Sequence, residues 1–458
     1  MTQALRKYVL MMLAVIFTVS SACAEVTGVY VGVGDIPNPL AYLPPPPDSS
    51  MIFGNGDYAR WIWGKSMRNT SRGEQASWES KYGITRMCTI YSDVLGIEIT
   101  KESTPALYRF MEKAGRTGAY GVSKMKQAHF RRRPFLVMKD TLGGEFDIFD
   151  ELEHNSSYPS SHTACGWGTA LALAEMAPHM QDTILRRGYE YGISRVIVGA
   201  HWQTDVEAAM LCASAAITRS RITTEYQVDL AAAREEYMQL KGLTLSDLNT
   251  MEEPSPVKII ETVVLEDSYF YYGDVSRYWQ AKALRATERG LQAQADANLS
   301  DNAILDGFSA CTSIDISATT SPHIATLITT VKHMLEADAT QMKNYLHREH
   351  PYEKLGYATS LPDEEDSYSN ESSYPSRHAV VGWGLALLLV EVMPDCQDAI
   401  LKRGYDIGWS RVIAGYHYPS DVQAGWIMAA CLLAKMHNDT NFNNLLQAAK
   451  QEYAGLKK

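Results

Sequence analysis

One stretch of this chain occurs twice. Ser194-Arg195-Val196-Ile197-Val198-Gly199-Ala200-His201-Trp202-Gln203-Thr204-Asp205 returns, 216 residues later, as Ser410-Arg411-Val412-Ile413-Ala414-Gly415-Tyr416-His417-Tyr418-Pro419-Ser420-Asp421. Between Tyr158–Asp205 and Tyr374–Asp421, 27 of 48 positions are identical. The likeness extends upstream, where Gly56-Asp57 through Ala76 matches Gly273-Asp274 through Ala293, and downstream to Ala233–Tyr237 opposite Ala449–Tyr453. A period of this length is far too long for a solenoid unit, so the chain must fold as two copies of one domain. Its 458 residues can bury a substantial core in each. The copies are expected to span residues 25–242 and 267–458, joined by a linker over 243–266 that contains Met251-Glu252-Glu253-Pro254-Ser255-Pro256. The Leu43-Pro44-Pro45-Pro46-Pro47 lead-in is read in the first copy only, as an extended strap.

The coarse pattern is helical. Thr163–Ala177 and Ala379–Met393 are apolar around most of the helical circumference, and each is followed by a proline. At 15 residues apiece they suit the buried central helix of a bundle better than a membrane span. Val206–Ala216 and Val422–Met436 look similar, and convincing strand alternation is absent. The expected fold class is all-α, two helical bundles in tandem.

Residues 1–24 read as an export signal: Arg6 and Lys7, an apolar run from Tyr8 to Val19, then an Ala22-Cys23-Ala24 cleavage site. The mature protein is expected to be secreted or periplasmic and free of the membrane once the signal is cleaved. Lipoprotein anchoring at Cys23 is the lesser alternative, because Ser20 stands where that signal usually has Leu. Six cysteines remain, at 88, 165, 212, 311, 396 and 431, and none falls opposite another in the two copies. Buried thiols are expected rather than a disulfide framework. A net charge of −11 argues against a nucleic-acid-binding surface. The informative cations are local exceptions on that acidic background.

In the first copy those cations are Lys126, Arg133 and Arg195. Guanidinium forks grip an oxyanion through paired hydrogen bonds, and a lysine adds a point charge. Pro159-Ser160-Ser161-His162 lies just before the apolar helix, so its backbone N–H groups and the positive helix end point toward the same anion, with Ser160 able to donate its hydroxyl or cap the helix. His201 and Asp205 are spaced i,i+4, which stacks a carboxylate on the imidazole, fixes its tautomer and leaves a lone-pair nucleophile. His162 would protonate the departing alkoxide and then activate water. Such a set suits phosphoryl transfer by histidine, with cations supplying the stabilisation. Taken singly these residues are commonplace surface charges, caps and helix contacts; their joint occurrence carries the reading. No Cys–Cys or His–His spacing typical of zinc accompanies them, so neither a metal nor another cofactor is expected. Trp61, Trp63, Trp167, Trp202 and Trp383 read as packing rather than as a substrate mouth, and for Tyr158 and Tyr374 a place at the pocket border is the lesser alternative to packing.

These blocks resemble the signature of the class A bacterial non-specific acid phosphatases, within the type-2 phosphatidic acid phosphatase superfamily: Lys-x6-Arg-Pro, Pro-Ser-Gly-His and Ser-Arg-x5-His-x3-Asp. The resemblance covers nearly the whole mature chain, twice. It implies the acid phosphatase/vanadium haloperoxidase bundle and small-molecule phosphate monoesters as substrates. It further implies His201 as phosphorylated nucleophile, His162 as acid, and Lys126, Arg133, Ser160 and Arg195 as phosphate ligands. The family tends to dimerise, which implies an intramolecular pairing of the two copies, with further oligomers open. The first copy departs once, with Ser161 in the glycine position, whose backbone N–H persists. The second keeps Lys343, Ser376, His378, Arg411, His417 and Asp421, but has His350 in place of Arg and Arg377 in place of Gly. Catalysis there is expected to be impaired or altered in specificity, Arg377 either restoring the lost cation or filling the pocket. Three rivals stand beside this reading. A vanadate-dependent haloperoxidase is disfavoured by the compact 31-residue gap from His162 to Ser194. A membrane lipid phosphatase would need several spans. The third is a non-catalytic interaction module.

Overall fold

The computed structural model describes residues 28–48, 50, 52, 54, 56–144, 149–248, 254–260 and 269–457. The export signal read at 1–24 lies outside the described residues, as do 249–253 and 261–266 of the expected linker. Among the described residues every regular element is a helix. The first copy is built on α1 (Asp57–Met67), α2 (Ser71–Trp78), α3 (Pro105–Tyr120), α4 (Ser161–Met176), α5 (Gln181–Ile197), α6 (Gln203–Arg221) and α7 (Thr224–Lys241). The second repeats them as α8 (Tyr269–Lys282), α9 (Glu288–Ala295), α10 (Pro322–Lys343), α11 (Arg377–Val392), α12 (Gln397–Ala414), α13 (Pro419–Met436) and α14 (Thr440–Leu456).

The central helix of each copy is buried on all sides, from His162 to Met176 in α4 and from His378 to Val392 in α11. Helices α3, α5 and α6 surround α4, and α10, α12 and α13 surround α11. The small residues of α4 let its neighbours approach closely: a Cβ placed on Gly118 of α3 would stand 2.3 Å from the Ala164 carbonyl oxygen. The six cysteines of the described chain are free thiols, four of them buried.

The copies meet along a pseudo-twofold relationship. α6 packs on α11, α4 on α13, and α6 on α13. Gly56, just ahead of α1, and Gly273, inside α8, are equivalent residues of the repeat and touch each other; a Cβ on Gly56 would lie 2.8 Å from Gly273 Cα. The chain ahead of each copy crosses to the other. The Asn38 N–H donates to Asp398 Oδ1 at 2.8 Å, and the short helix Pro39–Tyr42 lies on α12. Its counterpart, Pro256–Ile259, lies on α5, with the Ser255 N–H donating to the equivalent Asp182 Oδ1 at 3.3 Å. The segment read as a linker thus contains a second strap of the kind seen ahead of copy one.

Candidate active site

The first copy gathers its site at the N-terminal end of α4. Ser160 is the N-cap: its Oγ accepts from the Thr163 N–H at 3.2 Å and the Thr163 hydroxyl at 2.9 Å, while its own N–H donates to the Asp205 carbonyl at 3.0 Å. Two accepted bonds leave the Ser160 hydroxyl hydrogen free to donate elsewhere. Ser161 follows in ordinary helical backbone, so the absent glycine costs no left-handed conformation. The amides of this first turn lack intrahelical acceptors and, with the helix dipole, favour an anion.

Three cations converge there. Lys126 Nζ donates to the Ser156 carbonyl at 2.5 Å, Arg195 Nη1 to the Ser80 carbonyl at 3.2 Å, and Arg133 Nη1 to the Ala200 carbonyl at 2.9 Å. Arg133 Nη2 also donates to Asn155 Oδ1 at 2.5 Å. Arg133 and Arg195 are each 3% exposed, too buried to be ordinary surface charges. Burial, reinforced by Arg133, presses Lys126 down to about 7, and burial lowers both arginines as well. Three basic side chains are thus gathered in a dry cluster where burial disfavours their charge, and an incoming dianion would favour it.

His201 sits between a cation and a carboxylate. Arg133 Nη1 lies 2.9 Å from its Nε2, and Asp205 Oδ2 lies 3.4 Å from its Nδ1. A guanidinium only donates, so Nε2 is the acceptor and carries the lone pair, and the proton belongs on Nδ1 facing Asp205. Asp205 is itself fixed by Arg131, whose Nη1 meets Oδ1 at 2.6 Å, and by the Trp202 N–H, which donates to Oδ2 at 2.8 Å. Arg131 Nη2 reaches Asp57 Oδ2 at 2.6 Å, and Asp57 accepts from the Thr204 N–H at 3.0 Å. His162 stacks on Tyr191, ring centroids 4.1 Å apart. Burial, then neighbouring cations, hold His201 and His162 well below the ordinary histidine value.

The second copy brings the same positions together with altered contents. Ser376 caps α11, and its N–H donates to the Asp421 carbonyl at 3.0 Å. Asp421 Oδ2 is 3.6 Å from His417 Nδ1, and Arg348 joins Asp421 to Asp274 as Arg131 joins Asp205 to Asp57. His350 Nδ1 donates to the Tyr416 carbonyl at 2.6 Å, taking over one contact of Arg133, but its buried Nε2 meets no partner. Burial lowers the His350 pKa, so the ring offers a lone pair where Arg133 offers a donor. Lys343 Nζ donates to the Ser372 carbonyl, and burial brings its pKa down to about 8. Arg377 donates to Glu371 Oε2 at 2.8 Å. Arg411 lies 3.9 Å from the Tyr416 ring centroid. His378 Nε2 donates to the Ala297 carbonyl at 3.1 Å and, with Ile407 where copy one has Tyr191, lacks the aromatic stack.

Several participants carried no recognisable spacing. Asp57 and Arg131, with Asp274 and Arg348, clamp the two aspartates; their one sequence signal is that both pairs recur in the repeat. Ser194 and Ser410 hydroxyls donate to Glu79 and Asp296, side chains that also bind Arg187 and Arg403 and so tie α2 and α9 to the site helices. Tyr158 and Tyr374 are buried, Tyr158 donating its hydroxyl to the Pro44 carbonyl at 3.0 Å. Among the tryptophans, Trp202 Nε1 donates to the Arg132 carbonyl at 2.9 Å, while Trp167 and Trp383 fill the cores.

Two regions, residues 115–228 and 323–444, match the family model described as the PAP2 superfamily. The chain is 39% identical over 203 residues to a non-specific acid phosphatase of Providencia stuartii, spanning 44% of this chain and 82% of that protein. It is 33% identical over 200 residues to the non-specific acid phosphatase of Salmonella typhimurium, covering 43% and 80% respectively. An acid phosphatase of Zymomonas mobilis is 31% identical over 179 residues, 39% of this chain and 68% of that protein.

Proposed function

Since the chain belongs to the PAP2 superfamily, as a tandem duplication of the acid phosphatase domain, we propose that it is an exported phosphomonoesterase working through a phosphohistidine at His201. The observation that carries this reading is the position of His201, its Nε2 facing Arg133 and its Nδ1 facing Asp205. As a phosphate monoester enters, Arg133 Nη1 exchanges the Nε2 lone pair for a phosphoryl oxygen. Lys126, Arg195, the Ser160 hydroxyl and the amides of Ser161 and His162 take the remaining non-bridging oxygens. Nε2 attacks phosphorus in line, the bond to the ester oxygen breaks, and His162, charged at acid pH once the bound dianion offsets its neighbouring cations, delivers its proton to that oxygen. A water then attacks the phosphohistidine, giving its proton to His162 and releasing inorganic phosphate and free His201. The charge needed in the transition state comes from fixed side chains, and no metal is required.

In the second copy the nucleophile His417, acid His378 and Asp421 have the same layout, but the donor at Arg133 is replaced by the acceptor at His350. Copy one therefore does most of the work. The two copies stay paired in solution, because the tether keeps the effective concentration of each high near the other. Hydrolysis of a chromogenic aryl phosphate at mildly acidic pH, with and without EDTA, tests the activity. Isolation of an acid-labile, base-stable phosphoryl adduct on His201 tests the intermediate. Activity lost on chelation and restored by a divalent ion, or turnover with no adduct, overturns this mechanism.

A further inference from the structure

The second pocket already contains an anion of its own. Glu371 stands at the position of Asn155 in the repeat, immediately before the Ser-Ser-Tyr-Pro run. Where Asn155 offers Arg133 a neutral oxygen, Glu371 places a full carboxylate in the pocket mouth. Its Oε2 accepts from Arg377 Nη2 at 2.8 Å and lies 3.8 Å from Lys343 Nζ. One oxygen thus bridges both cations that this rim of the pocket could turn toward a phosphate. The third, Arg411, is covered separately by the Tyr416 ring at 3.9 Å, in a position where copy one has Ala200.

We propose that Glu371 is the residue that decides anion selectivity between the two pockets, acting as an internal counter-ion that excludes a phosphate from copy two. The inference rests on reading the His201 pocket as a phosphate site. A carboxylate hydrogen-bonded to Arg377 and within ion-pair distance of Lys343 offsets both cations and repels a dianion, so a phosphate could enter only by displacing it. Arg377 is therefore bound to Glu371 rather than free for a substrate, and it holds that carboxylate in place. The copy-two pocket is closed by charge rather than dismantled, since Lys343, Ser376, His378, Arg411 and His417 all remain.

Calorimetric titration of the full chain with inorganic phosphate tests this, comparing wild type with Glu371→Asn, the residue of copy one, and with Glu371→Gln in case the first fails to fold. Thermal melts followed by circular dichroism establish that each variant is folded. The wild type is expected to bind one phosphate per chain and the folded variant two. Two phosphates in the wild type, or one in both folded variants, overturns the proposal. No phosphate in the wild type with one in the variant would uphold Glu371 as the determinant while removing the His201 phosphate site. No binding to any form overturns both.

Discussion

Arg133 Nη1 stands 2.9 Å from Nε2 of His201, whereas its counterpart His350 turns its Nδ1 to the Tyr416 carbonyl at 2.6 Å and leaves Nε2 unpartnered. The first arrangement aims a permanent donor at the atom that would attack. The second aims a lone pair into the corresponding space.

Copy one is therefore expected to dominate turnover. His201→Ala should lower aryl phosphate hydrolysis by at least about 10³-fold, in keeping with loss of a nucleophile. His417→Ala should leave it within about twofold. Arg133→His, which copies the second site into the first, should cost about 10²–10³ in kcat, the loss typical of one transition-state donor. Steady-state kinetics on the three full-length variants check this, and the reverse ranking of the two alanine variants refutes it.

The pH profile should lean acid for a stated reason. His201 is held well below the ordinary histidine value, first by burial and then by Arg133. A depressed value keeps the Nε2 lone pair available as pH falls through 6.5, so kcat/KM should begin to fall only at more acidic pH. Arg133→Gln removes a cation that opposes protonation, so the His201 value should rise and the acid limb shift upward. An acid limb that does not move would show that Arg133 leaves the nucleophile's titration untouched.

Arg131 should matter more to the fold than to substrate contact. It bridges Asp57 and Asp205, each pair at 2.6 Å, with side chains 6% exposed for the arginine and 0% for both acids. Removing one partner of such a cluster strands buried charge at a cost of about 3–5 kcal/mol. Arg131→Ala should lower the urea midpoint accordingly and reduce kcat through misplacement of Asp205. Unchanged stability would exclude the clamp.

The buried Glu391 cluster of copy two, which reaches Arg221 of copy one, should withstand mild acid. Glu391 is 1% exposed, meets His437 at 2.8 Å and Lys450 at 3.3 Å, and approaches Arg221 at 3.8 Å. Opposed by burial, these cations, His437 foremost, bring it down to about 2 from 4.5. A depressed carboxylate contributes stability that is present above its unfolded value and is lost as pH falls from about 4.5 toward about 2, amounting here to about 3 kcal/mol. The stability gap between wild type and Glu391→Gln should therefore narrow across that range. Denaturant melts at successive pH values would show it, and a constant gap would contradict it.

The helical class and the central site residues were legible because they lie in contiguous blocks that the repeat displays twice. Ser160 and His162 stand at the start of α4 and Arg195 and His201 at or just beyond the end of α5, so one antiparallel helix pair brings them together. Asp57 and Arg131 were not legible: 74 residues separate them, and neither forms a periodic pattern with its partner. Glu371 and Arg377 show the same limit from the other direction. The substitution of Arg for Gly was visible, but its meaning depended on a carboxylate six residues away that only the folded turn brings against it. The strap at 254–259 shares with the first only a short Pro-x-Pro element, Pro37-Asn38-Pro39 against Pro254-Ser255-Pro256, and a backbone contact to an aspartate, a signal too brief to mark it alone.

The contact between Gly56 and Gly273 has a genetic consequence. In a symmetric pair of identical chains, any mutation appears on both sides of the axis at once, so a change that blocks one site blocks both. Here the two glycines sit on one polypeptide and are encoded separately. Each half can thus inherit changes that its twin does not share, and a pocket can drift while its sibling remains under selection.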